Sequence, residues 1–309
     1  MFSFNKGRAV AYVQGLEDNG KILRLCEDAK DGPELKGSPV LRLSEDWFRD
    51  NFKGITAPQL NVVLKALQDG RPPISHSLAK IYNISKEYLD RSLMREYIIE
   101  TPGSSLIPVL NSETPDRIYI AGPSGSGKSV MSSKYMQMYN ILYPTKKIYI
   151  FSRIEEDPAF ADVKNVERIM IDDSLLVEPM TAEELKDSLV LVDDIDTITD
   201  EKIAKVVRKL RDDILECGRH FNIYIICTSH KICDFNKTKT MLNEATAVVF
   251  FPQSGGAHQI KRLMREYVGA SAKETEHIMR LPSRWVAIYK HYPQYVMYDR
   301  GIFLMHSMR

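Results

Sequence analysis

Residues 117–130 read RIYIAGPSGSGKSV, and the fold turns on how the middle of that stretch is read. Gly122, Gly127, Lys128 and Ser129 fit the spacing G-x-x-x-x-G-K-[ST], in which glycines let the backbone turn its N–H groups inward around a polyphosphate. Lys128 is placed to reach the β and γ oxygens, and the Ser129 hydroxyl to ligate Mg²⁺. Ile118, Tyr119 and Ile120 form a β-prone run in front of the loop, and 130–139 can continue as a helix whose N-terminal dipole faces the phosphates. The expected phosphate-binding set is Gly122, Pro123, Ser124, Gly125, Ser126, Gly127, Lys128, Ser129 and Val130, with ATP as ligand and Mg²⁺ as metal. A Gly/Ser-rich turn that matches by accident is the alternative, and the order strand, loop, helix argues against it.

Downstream, KKIYIFS (146–152), ERIMI (167–171), LVLVDD (189–194), NIYIICTS (222–229) and AVVFF (247–251) read as strands. Between the third and fourth, Ile203, Val206, Val207, Leu210, Ile214 and Leu215 recur at helical spacing. Near-continuous apolar strands separated by helices imply a parallel sheet covered on both faces. The expected fold class is α/β, a P-loop NTPase with a mainly parallel sheet flanked by helices, spanning 101–309. RWVAIYK and QYVMYDRG, joined by HYP, are expected to form a C-terminal β-hairpin.

Residues 1–100 read as a small N-terminal α+β accessory module for docking or assembly. AVAYVQG and KILRLCE suggest a hairpin across DNG, and Thr56 with Gln59 suggests a capping box opening a helix that Gly70 closes. In SHSLAKIYNISKEYLDRSL, Leu78, Tyr82, Ile84 and Leu89 with a turn at Asn83 fit a helix-turn-helix; any short helical module would bury the same residues.

LVLVDDID carries the second chemical signal. Four apolar residues bury a strand and two carboxylates follow at its carboxyl end, where open α/β sheets bind ligands. Asp193 is expected in the Mg²⁺ shell, with Asp194 orienting or deprotonating the attacking water and Asp196 as a second candidate for that role. A strand between the loop and these acids points to ATPases that activate water rather than to small-molecule kinases. TSH (228–230) ends the next strand, so His230 is the candidate polar sensor; a partly buried histidine closing a strand is the plainer reading.

Composition bounds what else the chain does. With 309 residues and 44% hydrophobic content it can hold one large core and a smaller module. No apolar run approaches the roughly 20 residues that cross a bilayer, and MFSFNKGRAVAY lacks an apolar signal region, so a soluble, unsecreted protein with no membrane insertion is expected. Four cysteines are too few for a disulfide framework and suit a reducing compartment. Cys217, His220, Cys227, His230 and Cys233 cluster in sequence, yet no C-x-x-C pair occurs and Cys227 lies in an apolar strand, which argues against zinc. The net charge of +1 hides an asymmetry: 155–201 holds sixteen acidic against three basic residues, whereas 257–309 holds nine basic against four acidic. The basic segment interleaves Tyr267, Trp285, Tyr289, Tyr292, Tyr295 and Tyr298, which suits either a nucleic-acid backbone or cross-strand aromatic pairs.

GPSGSGKS, LVLVDDID, ECGRHFNIYIICTSH and FFPQSGGAHQIKRL together resemble the packaging ATPases of nucleocytoplasmic large DNA viruses, the poxvirus-type branch of the FtsK and HerA family, over about 115–305. One departure is His230, where that family usually ends the sensor strand in glutamine. The resemblance implies an ATP-driven translocase that moves double-stranded DNA into a capsid as a homo-oligomeric ring, acting in the virion or the host cytoplasm beside a capsid or membrane-associated capsid protein. It also implies a cation donated across subunits; Arg219 is the first candidate, with Arg208 and Arg211 behind it and a helix-end cation as the plainer role for Arg219. The alternative is a P-loop ATPase of another class, a helicase or a protein-remodelling switch.

Overall fold

The computed structural model describes residues 2–4, 7–15, 19–26, 45–100, 103–234 and 237–305. The chain opens with β1 (Phe2–Ser3), β2 (Arg8–Gly15) and β3 (Ile22–Leu25), followed by α1 (Glu45–Asn51), α2 (Ala57–Asp69) and α3 (His76–Tyr97). Then β4 (Ile98–Glu100) and β5 (Ser104–Pro108) lead into β6 (Arg117–Ala121), the phosphate loop and α4 (Lys128–Leu142). The central stretch runs β7 (Ile148–Ser152), β8 (Val166–Met170), α5 (Ser174–Val177), β9 (Leu189–Val192), α6 (Glu201–Cys217), β10 (Tyr224–Ser229), α7 (Lys239–Glu244) and β11 (Ala247–Phe250). It closes with α8 (Ala257–Leu263), a π-helical turn at Met264–Val268, α9 (Ala272–Met279), β12 (Val286–Tyr289), β13 (Tyr295–Tyr298) and β14 (Gly301–Leu304).

The large sheet has the order β4-β14-β13-β12-β11-β6-β10-β9-β7-β8. Strands from β11 to β8 are parallel, and those from β12 to β4 add in antiparallel fashion. β10 lies between β6 and β9, so one strand separates the phosphate loop from the paired carboxylates. The terminal hairpin of β12 and β13 continues into β14, whose Ile302 and Phe303 are buried; it is one turn of a meander fused to the main sheet.

The strands read as unbroken apolar runs because both faces are covered. Ile118, Ile120, Leu189, Leu191 and Ile226 point to one face, where Met131, Tyr135 and Tyr139 of α4 pack beside Val10, Val13, Leu23 and Leu106 from the N-terminal strands. Tyr119, Val190, Val192 and Ile225 alternate onto the other, against Ile203, Val207, Leu210 and Ile214 of α6 and Ile260 and Leu263 of α8. The result is an α/β P-loop fold with its core on both sides of one sheet.

The N-terminal strands form a second sheet, β1-β3-β2-β5. Division at 100/101 is crossed in both directions, because β4 joins the large sheet and β5 the small one. The small sheet also shares the α4-side core, so its apolar face is buried by the nucleotide-binding half of the chain. Thr56 and Gln59 form a capping box, and Gly70 closes α2 at φ 66°. The expected turn at Asn83 is absent: α3 is continuous from His76 to Tyr97, Tyr82 is buried and Ile84 is exposed. Asn interrupts a helix only weakly when neighbouring residues favour it, so the turn signal lost to continuous helix. Asp18 of DNG and the side chain of Leu89 lie outside what is described.

Candidate nucleotide site

The carboxyl ends of β6, β10 and β9 lie side by side, and the polar residues that follow them meet there. Gly125 and Gly127 take φ 74° and 115°, the left-handed region that glycine occupies without strain. A side chain at Gly122 would strike the Phe251 ring at 2.6 Å, so close packing requires glycine there as well. Gly127 caps α4 without a side-chain hydrogen bond, which leaves first-turn amides directed at the loop's concavity. The Ser126 hydroxyl is buried there without a hydrogen-bond partner, while Ser124 and Gly125 are exposed and Pro123 and Ser129 half-buried. Val130, next on the helix, is 56% exposed.

Lys128 is buried; its Nζ donates to the Gly122 carbonyl at 3.0 Å and stands 3.4 Å from Asp194 Oδ2. Asp194 holds φ 43°, an uncommon conformation for a residue with a side chain and one that Asp tolerates better than most. Thr228 organises the pair of acids. Its Oγ1 accepts the Asp194 N–H at 2.8 Å and lies 2.8 Å from Asp193 Oδ1 and 3.0 Å from Asp194 Oδ1. One hydroxyl proton can serve only one of those oxygens at a time. Ser152 donates to Asp193 Oδ2 at 3.2 Å, and burial followed by the neighbouring Asp194 charge holds the Asp193 carboxyl above the usual carboxylate range. A hydroxyl and a carboxylate, Ser129 and Asp193, are the hard oxygen donors that suit Mg²⁺, and a cation there would offset the cost of burying Asp193 ionised.

His230 stands between two acids, Nε2 3.5 Å from Asp194 Oδ2 and Nδ1 3.6 Å from Asp196 Oδ1. Asp196 Oδ2 accepts the His230 N–H at 3.0 Å and the Ser229 hydroxyl at 3.3 Å. Asp196 thereby braces the tip of β10. Asp194, Asp196 and His230 each bring one ligand-type atom within 4.8 Å of the others, the one such group found among the described residues. The cysteines take no part: Cys227 is buried in β10, Cys217 is exposed and Cys233 half-buried.

The arginines separate. Arg219 is exposed in the turn before β10. Because Ile225 pairs with Arg117 at the start of β6, Arg219 lies at the opposite end of the sheet from its own phosphate loop, more than about 15 Å away at ~3.3 Å per strand residue. Arg208 pairs with Glu201 at 3.0 Å, and Arg211, buried, pairs with Asp212 at 2.7 Å; both line a small cavity beside Asp196 and Thr228. Sequence reading missed Arg284. Its Nε donates to the Ser126 carbonyl at 3.0 Å and its Nη2 to Gly125 at 3.1 Å, clasping the loop from a segment 158 residues away. Thr228 was also unassigned, although its place at a strand tip within TSH marked it.

No protein-family model matches the chain. Over 203 residues the chain is 41% identical to the uncharacterized protein V3 of Sputnik virophage, a match covering 65% of this chain and 81% of that protein. Among solved structures it is similar to the genome packaging NTPase B204 of Sulfolobus turreted icosahedral virus 2 in complex with AMPPCP, at 12% identity and TM-score 0.40 over 62% of this chain and 96% of that one. It is also similar to the pCW3 conjugation coupling protein TcpA, at 14% identity and TM-score 0.42 over 67% and 66%.

Proposed function

We propose that this chain, which belongs to the family of the uncharacterized protein V3 of Sputnik virophage, is an ATPase that drives double-stranded DNA into a viral capsid. The observation that carries the hydrolytic half is the meeting of Lys128, Asp193, Asp194 and His230 at one mouth of the sheet. Loop amides and Lys128 would bind the β- and γ-phosphates, and Ser129 and Asp193 would hold Mg²⁺, which neutralises charge on the transferring phosphoryl group. Asp194 is the acceptor for the attacking water's proton, with Lys128 and His230 both standing beside its Oδ2. His230 fills the sensor position, and Asp196 holds it there through the backbone.

The DNA half is supported by the sequence resemblance to the poxvirus-type packaging branch and by the excess of basic residues in 257–309; the aromatics there add nothing to it, because Trp285, Tyr289, Tyr295 and Tyr298 are buried and Tyr289 stacks on Tyr295 at 4.3 Å as a cross-strand pair of β12 and β13. Residues 101–309 would be the motor and residues 1–100 an accessory module, with subunits in a ring, Arg219 completing the neighbour's site and a capsid or membrane-associated capsid protein as docking partner. Among the described residues no helix is long and apolar enough to cross a membrane. A virion or host-cytoplasm location fits that role. Stimulation of ATP hydrolysis by long duplex DNA, and not by single strands or protein clients, tests this reading; stimulation by single strands alone would favour a helicase, and by a protein client a remodelling switch.

A further inference from the structure

The face of the sheet that carries α6 also carries two surface features that the nucleotide site leaves unused. Between α8 and α9 lies a cleft of about 780 Å³, lined by apolar Ala270, Ala272 and Met279 and by basic Lys261, Arg265 and Arg280. Elsewhere on that face, α5 is anchored by buried Leu175 and turns Leu176 and Val177 outward, 39% and 87% exposed, with Asp172, Asp173 and Glu178 exposed around them. We propose that the α8–α9 cleft of one subunit receives α5 of a second copy of this chain, a proposal that rests on the ring reading.

The two features match in chemistry. Leu176 and Val177 would leave water by covering the apolar lining, while the acids around them would meet the cations of the cleft. Those cations are only partly matched within the chain: Arg262 and Arg265 share Glu266, Arg280 pairs with Glu276, and Lys261 has no ion pair among the described residues. The excess positive charge calls for acids from outside. The occupant also has to come from another chain, because α5 follows β8 and α8 follows β11, five places away in the sheet, or about 24 Å at ~4.8 Å per strand. Contact between two different surfaces is heterologous, so each subunit can give α5 to one neighbour and accept it from the other, which is how a ring closes. A nucleic-acid backbone would use the cations and leave the apolar lining and Val177 uncovered.

The test measures self-association of the full chain by sedimentation, with a non-hydrolysable ATP analogue and duplex DNA present. A cleft variant, Lys261→Glu with Arg265→Glu, and an α5 variant, Asp173→Lys with Glu178→Lys, are each expected to assemble about tenfold or more weakly, because like charges then face each other. Mixing the two is expected to restore assembly, since every contact between unlike variants regains opposite charges. Val177→Asp, which leaves the cations untouched, is expected to weaken assembly by putting a charge against the apolar lining. Placement is checked by cross-linking: with exposed Cys217 changed to serine, Val177→Cys and Met279→Cys chains are expected to be joined by a short bis-maleimide when mixed. Unchanged assembly in all three variants, or no cross-link in mixtures that do assemble, overturns the proposal. So does loss of duplex binding by the cleft variant with assembly intact, which would make the cleft a nucleic-acid surface. Wild type that stays monomeric under these conditions refutes the ring reading itself, and this interface with it.

Discussion

Lys128 Nζ stands 3.4 Å from Asp194 Oδ2, joining the phosphate-loop cation to a carboxylate two strands away across the sheet. Each group limits what the other can do. A lysine so placed cannot leave without freeing a carboxylate that is only 25% exposed.

Lys128→Ala is therefore expected to abolish ATP hydrolysis and weaken nucleotide binding, with a stability loss of about 2 kcal/mol from its bond to the Gly122 carbonyl and its ion pair. Turnover assays beside thermal unfolding check both halves. Normal turnover would remove the phosphate-site reading, whereas an unfolded variant would show that the lysine is chiefly structural.

The three acids should part company. Asp193→Asn is expected to lose metal-dependent hydrolysis, and Asp194→Asn to bind ATP while slowing turnover about 10²-fold or more, because a general base contributes that much. Asparagine is the apt replacement at 194, since it tolerates φ 43° almost as aspartate does. Asp196→Asn is expected to cost less, as its Oδ2 braces the tip of β10. A trapped ATP complex from Asp196→Asn alone, seen in nucleotide-release assays, would transfer the catalytic role to Asp196.

Thiol chemistry gives an independent check on the site's composition. Burial pushes the Cys227 thiol up to about 12 and the Cys233 thiol up to about 11. The thiolate is the reactive form, so a raised value suppresses reaction at pH 8. Iodoacetamide at pH 8 is expected to modify exposed Cys217 first and Cys227 only after unfolding. Joint protection of Cys217 and Cys233 by zinc would restore the metal-binding reading of that segment.

Much of this was legible in the sequence where a local pattern has one structural meaning. The loop motif, the apolar runs and the acids after LVLV each specify their own element, because backbone conformation and burial are set within a few residues. Arg284 was not legible: its bonds to Ser126 and Gly125 depend on β12 joining the sheet beside β11, a pairing that no residue near Arg284 announces. The fourth strand of the small sheet failed for the same reason, since Ser104–Pro108 pairs with Ala11–Gly15 only after the chain has built three helices. At Asn83 a turn-favouring residue sits inside a 22-residue helix, where the surrounding helical context outweighs its preference.

Arg219 is remote from its own loop, so any catalytic part it plays must be in a neighbouring subunit. Arg219→Ala is expected to bind ATP almost normally and hydrolyse it at least about 10²-fold more slowly, because a trans arginine acts on charge that develops in the transition state. Mixing Arg219→Ala with Asp194→Asn subunits should restore activity at interfaces that pair an intact Asp194 with an intact Arg219. No recovery in assemblies shown by native mass measurement to contain both would move attention to Arg208 and Arg211, which lie beside Asp196 in the same chain.

The central claim is that hydrolysis at Lys128, Asp193 and Asp194 moves the protein along duplex DNA, and displacement of a third strand from a DNA triplex tests it most directly. The account predicts displacement that requires ATP and long duplex, and that disappears in Lys128→Ala and Asp194→Asn. Vigorous ATP hydrolysis by wild type with no third strand released, under conditions where the protein is bound to the duplex, would contradict it.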